Sequence, residues 1–283
     1  MPSLPTISPE EEAKAKAKDG TSVGSFDAPT AGSRDEATIA YYLMLGDDAL
    51  ILGQRLSEWC GHAPTIEVDL SLANMGLDLI GQATHLLGGA AGAMGEGRDA
   101  DALAFHRDVL DFRNCLMVEQ PNDDFARTMA RQFLYSTWHH MLLGRLAGSK
   151  DGHLAAIAAK GVKEVAYHRE LASDWVVRLG DGTEESARRM AEGLDWMWRF
   201  VPELFHVDED LQKVIDAGIA VDPREFEAEY REAIAAVLAE AKLTVPDDQR
   251  PILGGRHGHH SEHLGHLLAV MQFLPRAYPD AKW

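Results

Sequence analysis

The sequence predicts an all-α fold, a ferritin-like four-helix bundle with additional short helices, and three observations carry that expectation. Apolar residues recur at a period near 3.6 almost throughout residues 36–283. The strict alternation of half-buried strands is absent. Two of the four long periodic stretches also carry damaged copies of the Glu-x-x-His motif with which ferritin-like bundles hold a pair of irons.

The elements follow in chain order. Residues 1–35 are rich in Pro, Ser, Gly and charge and have almost nothing to bury, so they read as a flexible leader, although the run EEEAKAKAK contains helix formers. The folded domain is then 36–283. A first long helix is expected near Thr38 to Gly61, where Leu43, Ala49, Leu52, Leu56 and Trp59 form a stripe and GHAP supplies the stop. A second spans Asp69 to Met94 and ends at GGAAGAMGEG. A shorter helix over Asp99 to Asn114 crosses to the third long one, Asp124 to Leu146, which follows the breaker EQPNDD. The fourth covers Asp151 to Leu179 and stops at GDGT, and shorter helices are expected near 184–204, 223–242 and 259–276.

Composition narrows the function. The 283 residues are 46% hydrophobic and 25% charged, enough for a real core. A net charge of -18 argues against nucleic acid, whose phosphates need clustered Lys and Arg. Two cysteines, Cys60 and Cys115, are too few for a disulfide framework and fit a reducing compartment. No apolar run reaches the ~18 residues that span a bilayer, and the N-terminus lacks a secretory pattern, so no membrane partner and a cytoplasmic location are expected.

The motifs point away from metal chemistry. A di-iron bundle needs Glu-x-x-His on two helices because i and i+3 side chains share one face. Glu164 has Tyr167 in the His slot, and His168 lies about 100° further round the helix. Asp78 is followed at i+3 by Gly81. Arg131, on the third long helix, is placed to meet Asp78, Glu164 and one of Asp47 and Asp48 where iron would otherwise sit, since buried carboxylates require a cation or protons; the alternative is an arginine that reaches solvent. Together Asp48, Asp78, Arg131, Glu164, Tyr167 and His168 form a degenerate metal site with no catalytic residue assigned. On the second helix Glu67, Ser71, Asn74, Asp78, Gln82 and His85 make one narrow polar stripe, either a solvent edge or a seam inside the bundle.

Other clusters read as structural. His257, His259, His260, His263 and His266 crowd GRHGHHSEHLGH without an HExxH pattern. Glu203 and His206 form an intact Glu-x-x-His that has no matching motif on another helix. His139 and His140 lack a neighbouring nucleophile, and the glycine-rich GGAAGAMGEG follows a helix, unlike a dinucleotide fingerprint.

Several segments in one order, LGDDALILGQRLSEWCGHAP, LANMGLDLIGQA, NCLMVEQPNDDFARTMARQFLYSTWH, KEVAYH and SEHLGHLLAVMQFL, resemble the C-subunit family of bacterial phenylacetyl-CoA epoxidases, the ring-1,2-epoxidases of aerobic phenylacetate degradation. The likeness covers about residues 40 to 283. It implies a structural subunit without its own cofactor, paired with a homologous catalytic A subunit that carries the di-iron centre. Further components, including a reductase, deliver electrons, and the isolated chain has a homodimer open to it. Phenylacetyl-CoA is expected at the shared interface, with Asp111, Phe112, Arg113 and Asn114, and also Gln212, Lys213 and Val214, near its nucleotide tail. The first of these segments offers an aromatic, a cation and an amide, suited to adenine stacking and phosphate contact. Two alternatives stay open: a di-iron oxygenase in its own right, using Asp48, Asp78, Glu164 and His168, and a stand-alone helical binding protein.

Overall fold

The structure, a computed structural model, describes residues 34–279 and Ala281. Among the described residues every regular element is helical. The first long helix, α1 (Glu36–Ser57), starts where Asp35 accepts the Thr38 N–H at 2.8 Å. Arg34 lies inside the fold, paired with Asp151 at 2.6 Å and stacked over the Tyr42 ring at 4.6 Å. The expected leader is therefore shorter at its C-terminal end by Arg34 and Asp35; residues 1–33, with their Glu and Lys run, lie outside the described residues.

Helix α2 (Ile66–Met94) is capped by Thr65 and ends at Gly95, whose φ of 72° is the left-handed conformation that glycine adopts without a steric cost. The single helix expected over Asp99 to Asn114 is instead a short α3 (Ala100–Phe105), a 3-10 turn at Val109–Asp111 and a one-turn α4 (Leu116–Glu119). The physical reason is competition for the backbone. Asp47 of α1 accepts the Arg113 N–H at 2.8 Å, a bond a continuous helix would have used internally, and Asp48 accepts the Cys115 N–H at 2.7 Å just past the expected end.

Helices α5 (Phe125–Leu146) and α6 (Gly152–Gly180) complete the bundle within a residue of expectation. Each is capped by an aspartate, Asp124 and Asp151. Helix α1 lies antiparallel to α2, with Gly53 packed against Gly76 and Ile80, so that a side chain in place of Gly53 would press on both. Leu143 packs on Gly161 and sets the antiparallel register of α5 and α6. Leu52, Leu56, Leu72, Met75, Phe133, Leu146 and Val165 are all at or below 1% exposure in the shared core. Burying each such side chain stabilises the fold by about 1.5–3 kcal/mol.

Shorter helices wrap this frame: α7 (Glu184–Trp198) and α8 (Val201–Leu204), α9 (Glu209–Asp216), and α10 (Glu227–Glu240) after a 3-10 turn at Pro223–Phe226. The last two are α11 (Glu262–Met271) and α12 (Phe273–Ala277). Helix α9 falls in a stretch where no helix was expected, and the C-terminal helix starts at Glu262 rather than 259.

Candidate functional site

The polar stripe of α2 divides: Glu67 and Asn74 are exposed, whereas Ser71, Asp78 and Gln82 form a seam against α6. Gln82, buried, donates to Glu164 at 3.0 Å, the buried His168 meets Asp78 at 3.0 Å, and the Tyr167 hydroxyl reaches Ser71 at 3.2 Å. Tyr167 itself is 46% exposed at the open edge. On the outer side of α2, about one and then two turns apart, Ile66, Leu70 and Leu77 stand 60–72% exposed.

The expected carboxylate cluster around Arg131 does not form. Arg131 is fully buried, as one of its two readings required, but it donates to the Gln120 carbonyl at 2.6 Å and to Asn122 Oδ1 at 2.7 Å. With no carboxylate bonded to it, burial and then the Arg55 charge push its pKa down to about 9. Asp48 is instead ion-paired with Arg256 at 2.7 Å and bonded by the Tyr135 hydroxyl at 3.3 Å. Glu164 pairs with Lys160 and Gln82.

These residues do not fit a di-iron pair. The Leu143–Gly161 register brings Gln132, Ser136 and His139 of α5 to the level of His168. There α5 offers a buried amide and hydroxyl without bonds among the described residues, and an imidazole that burial pushes down to about 3, rather than a carboxylate. Among the described residues no three His, Cys, Asp or Glu side chains are arranged to hold a metal ion. The set Asp48, Asp78, Glu164 and His168, expected as ligands under the alternative of an independent oxygenase, is thus taken up in separate pairs, Asp78 with His168, Glu164 with Gln82 and Asp48 with Arg256. The C-terminal histidines are likewise dispersed, His257 toward Asp208 at 3.3 Å and His260 onto Glu119 at 2.7 Å.

A second region concentrates buried charge. Asp47, Asp48, Glu119 and Glu203 are 0–2% exposed and hold the crossing of residues 112–119 with 254–261. Glu203 accepts the N–H groups of Leu116, Gly254 and Gly255 at 2.6–2.9 Å, so the intact Glu203 and His206 spacing serves the backbone. Burial raises its pKa, opposed by Arg256 and these donors. Glu119 takes His260 and the Ser261 N–H, both at 2.7 Å, and the Asn114 amide at 2.9 Å. The other ring nitrogen of His260 meets the Phe112 carbonyl at 3.0 Å. Both nitrogens face acceptors, so the ring is held as an imidazolium, its pKa raised by Glu119 against the cost of burial. A side chain at Gly255 would collide with the Asn114 carbonyl, which explains a glycine at this crossing.

Above this floor opens a cleft of about 670 Å³ between α1, the 113 segment, α9 and the 256–257 turn. Arg113 and Lys213, from the two segments expected near the nucleotide tail, both line it. Ala37, Ala40, Tyr41, Met44 and Leu211 give it an apolar wall, and Arg256 and His257 add to its cationic side. Asp35, Glu36, Asp208 and Asp210 line it as well; Asp210 pairs with Lys213 at 2.6 Å across exposed surface. Such exposed pairs contribute only about 0–1 kcal/mol and yield to a better anion.

The other expected contacts do not reach the cleft. Phe112 is fully buried under the Arg107 guanidinium at 4.3 Å, so it is unavailable for adenine stacking. Asn114 is spent on Cys115 and Glu119, and Val214 is buried. Gln212 bonds Asp216 and Arg224, and Asp111 turns to the Asp108 N–H. Sequence reasoning missed Tyr41, Met44 and Arg256 and singled out His257 only within the histidine cluster; the Gly-flanked GGRHG run was the one available signal for Arg256.

Residues 26–283 match the family model described as Phenylacetic acid catabolic protein. Over 244 residues, 86% of this chain and 98% of the relative, the sequence is 50% identical to the C-subunit of the 1,2-phenylacetyl-CoA epoxidase of Escherichia coli (strain K12).

Proposed function

Because this chain belongs to the phenylacetic acid catabolic protein family, we propose that it is the non-catalytic structural subunit of a cytoplasmic, multicomponent phenylacetyl-CoA ring epoxidase. It stabilises a homologous A subunit that holds the di-iron centre, while a reductase supplies electrons. The observation that carries this reading is the dispersal of the would-be ligands, Asp78 to His168, Glu164 to Gln82 and Asp48 to Arg256.

Two surfaces support the division of labour. The exposed Ile66, Leu70 and Leu77 stripe of α2 presents large aliphatic side chains to water at helical spacing, the mark of a face covered by another helix in the assembly. Alone, the chain covers that face with a second copy. The cleft takes the nucleotide end of phenylacetyl-CoA, with Arg113 and Lys213 toward its phosphates and the wall of Tyr41, Met44 and Leu211 against its apolar parts. No described helix is long and apolar enough to cross a membrane.

The test is metal analysis of the isolated chain after chelation and ferrous reconstitution, alongside epoxidation assays of the chain alone and with its partners. The expected result is no stoichiometric iron and activity only in the assembly. Two irons per chain, or epoxidation by the chain alone, would overturn the reading.

A further inference from the structure

We propose that Asp47 and Asp48, consecutive buried carboxylates of α1, are positioning residues that hold Arg113 in place for the nucleotide end of the acyl-CoA. The inference rests on the cleft reading above and deepens it. Asp47 accepts the Arg113 backbone N–H at 2.8 Å. The same carboxylate is gripped by Arg107, which donates to it at 2.9 Å, reaches the Asp111 carbonyl at 3.1 Å and lies over the Phe112 ring. Asp48 carries Arg256 at 2.7 Å, and Arg256 in turn donates to the Arg113 carbonyl at 3.1 Å. One residue of the cleft is thus fastened at its N–H by the first aspartate and at its C=O through the second.

The side chain is then fixed relative to that backbone. Arg113 Nη1 donates to the Leu110 and Phe112 carbonyls, both at 2.7 Å, while its Nε and Nη2 make no bond to a described residue. A guanidinium recognises a phosphate through two directed N–H groups, so its usefulness depends on where the fork points. A surface turn needs none of this, because water satisfies its N–H and C=O. Burying two carboxylates with two arginines costs desolvation that apolar side chains of the same volume would avoid. The geometry obtained is a held Arg113, and its tolerance of about half an ångström is what a preorganised site requires.

The experiment uses the assembled epoxidase with phenylacetyl-CoA and compares Asp47→Asn, Arg113→Ala and the double variant. Asparagine keeps an acceptor for the Arg113 N–H but loses the charge that fastens Arg107. Arg113→Ala is expected to raise KM about tenfold with kcat nearly unchanged, the pattern of lost uniform binding. Asp47→Asn is expected to raise KM by roughly fivefold, and to add nothing in the Arg113→Ala background, because both act through one guanidinium. Equal effects of Asp47→Asn with and without Arg113, or a fall in kcat rather than a rise in KM, would overturn the positioning role. An Arg113→Ala enzyme with unchanged KM would instead remove the cleft reading, and the bracket with it. Should Asp47→Asn fail to assemble, Arg107→Lys keeps a cation beside Asp47 but loses the fork and the Phe112 stack, with the same expected rise in KM and the same two refuting results.

Discussion

Replacing Arg256 by methionine isolates the energetic weight of the floor beneath the cleft. Asp48 is fully buried, and Arg256, 9% exposed, is its cation at 2.7 Å. Burial works against the Arg256 charge, yet Asp48 outweighs it and holds the guanidinium above its ordinary range. Removing one partner of a buried pair costs about 3–5 kcal/mol, because the remaining charge stays desolvated. Two further losses add to this, the bonds to the Met44 and Arg113 carbonyls, at about 1 kcal/mol each. Two features reduce it: Asp48 keeps the Cys115 N–H and the Tyr135 hydroxyl, and the cleft admits water beside the lost guanidinium. We expect a net destabilisation of about 3–4 kcal/mol by urea unfolding, a fall in Tm of roughly 6–16 °C at about 2–4 °C per kcal/mol. Adding Asp48→Asn should recover at least half of it, since a neutral amide is far cheaper to leave behind. A loss below about 1 kcal/mol, or a double variant weaker than the single by the full cost of Asp48→Asn, would refute the argument.

Further expectations concern pH and assembly. His139 has a folded pKa depressed to about 3 from 6.5, so the unfolded chain binds the extra proton between those values; stability should therefore fall as pH drops below 6.5, and His139→Leu should flatten that slope in acid unfolding. His260 has the opposite sign, a folded pKa raised above 6.5: its contribution is complete below 6.5 and is lost as pH rises through the folded value, and His260→Gln should abolish that alkaline decline in Tm. Leu70→Arg with Leu77→Arg should break association with the A subunit in sedimentation while shifting the isolated chain's unfolding by no more than about 0.5 kcal/mol, as expected for exposed positions.

The bundle was legible because long amphipathic stretches announce themselves through period and caps; Asp124 and Asp151 cap where a polar residue precedes an apolar run, whereas the Thr65 cap starts its helix three residues ahead of the expected Asp69. Helix α9 escaped because eight residues rich in Asp and Glu give too short a window for periodicity. The break of the expected Asp99 to Asn114 helix was invisible for a different reason. Its cause lies in side chains of Asp47 and Asp48, more than sixty residues away, and no local rule connects them. The same distance misassigned Asp48 to a metal remnant, since its true partner Arg256 is 208 residues on. Convergence of Arg113 with Lys213 was anticipated only through the family resemblance, whereas burial of Phe112 and Asn114 could not be read from a segment that looks polar and loop-like.

The crossing of residues 112–119 with 254–261 also sets a timetable for synthesis. Its cations and amide donors, Arg256, His260 and the Gly254 to Gly255 peptide, leave the ribosome long after Asp48 and Glu119. Until residues 254–261 arrive, Asp48 and Glu119 lack the cations that neutralise them, so the nascent four-helix core must stay open to water on that side. Closure across 208 residues of chain is a non-local step that waits for the loop between to be ordered. A polypeptide released before Gly254 would retain the amphipathic helices yet keep that face hydrated and its helices loosely docked, a substrate for proteases. Residues 254–261 thereby act as a clasp: only a chain translated through them can dry the floor beneath its cleft.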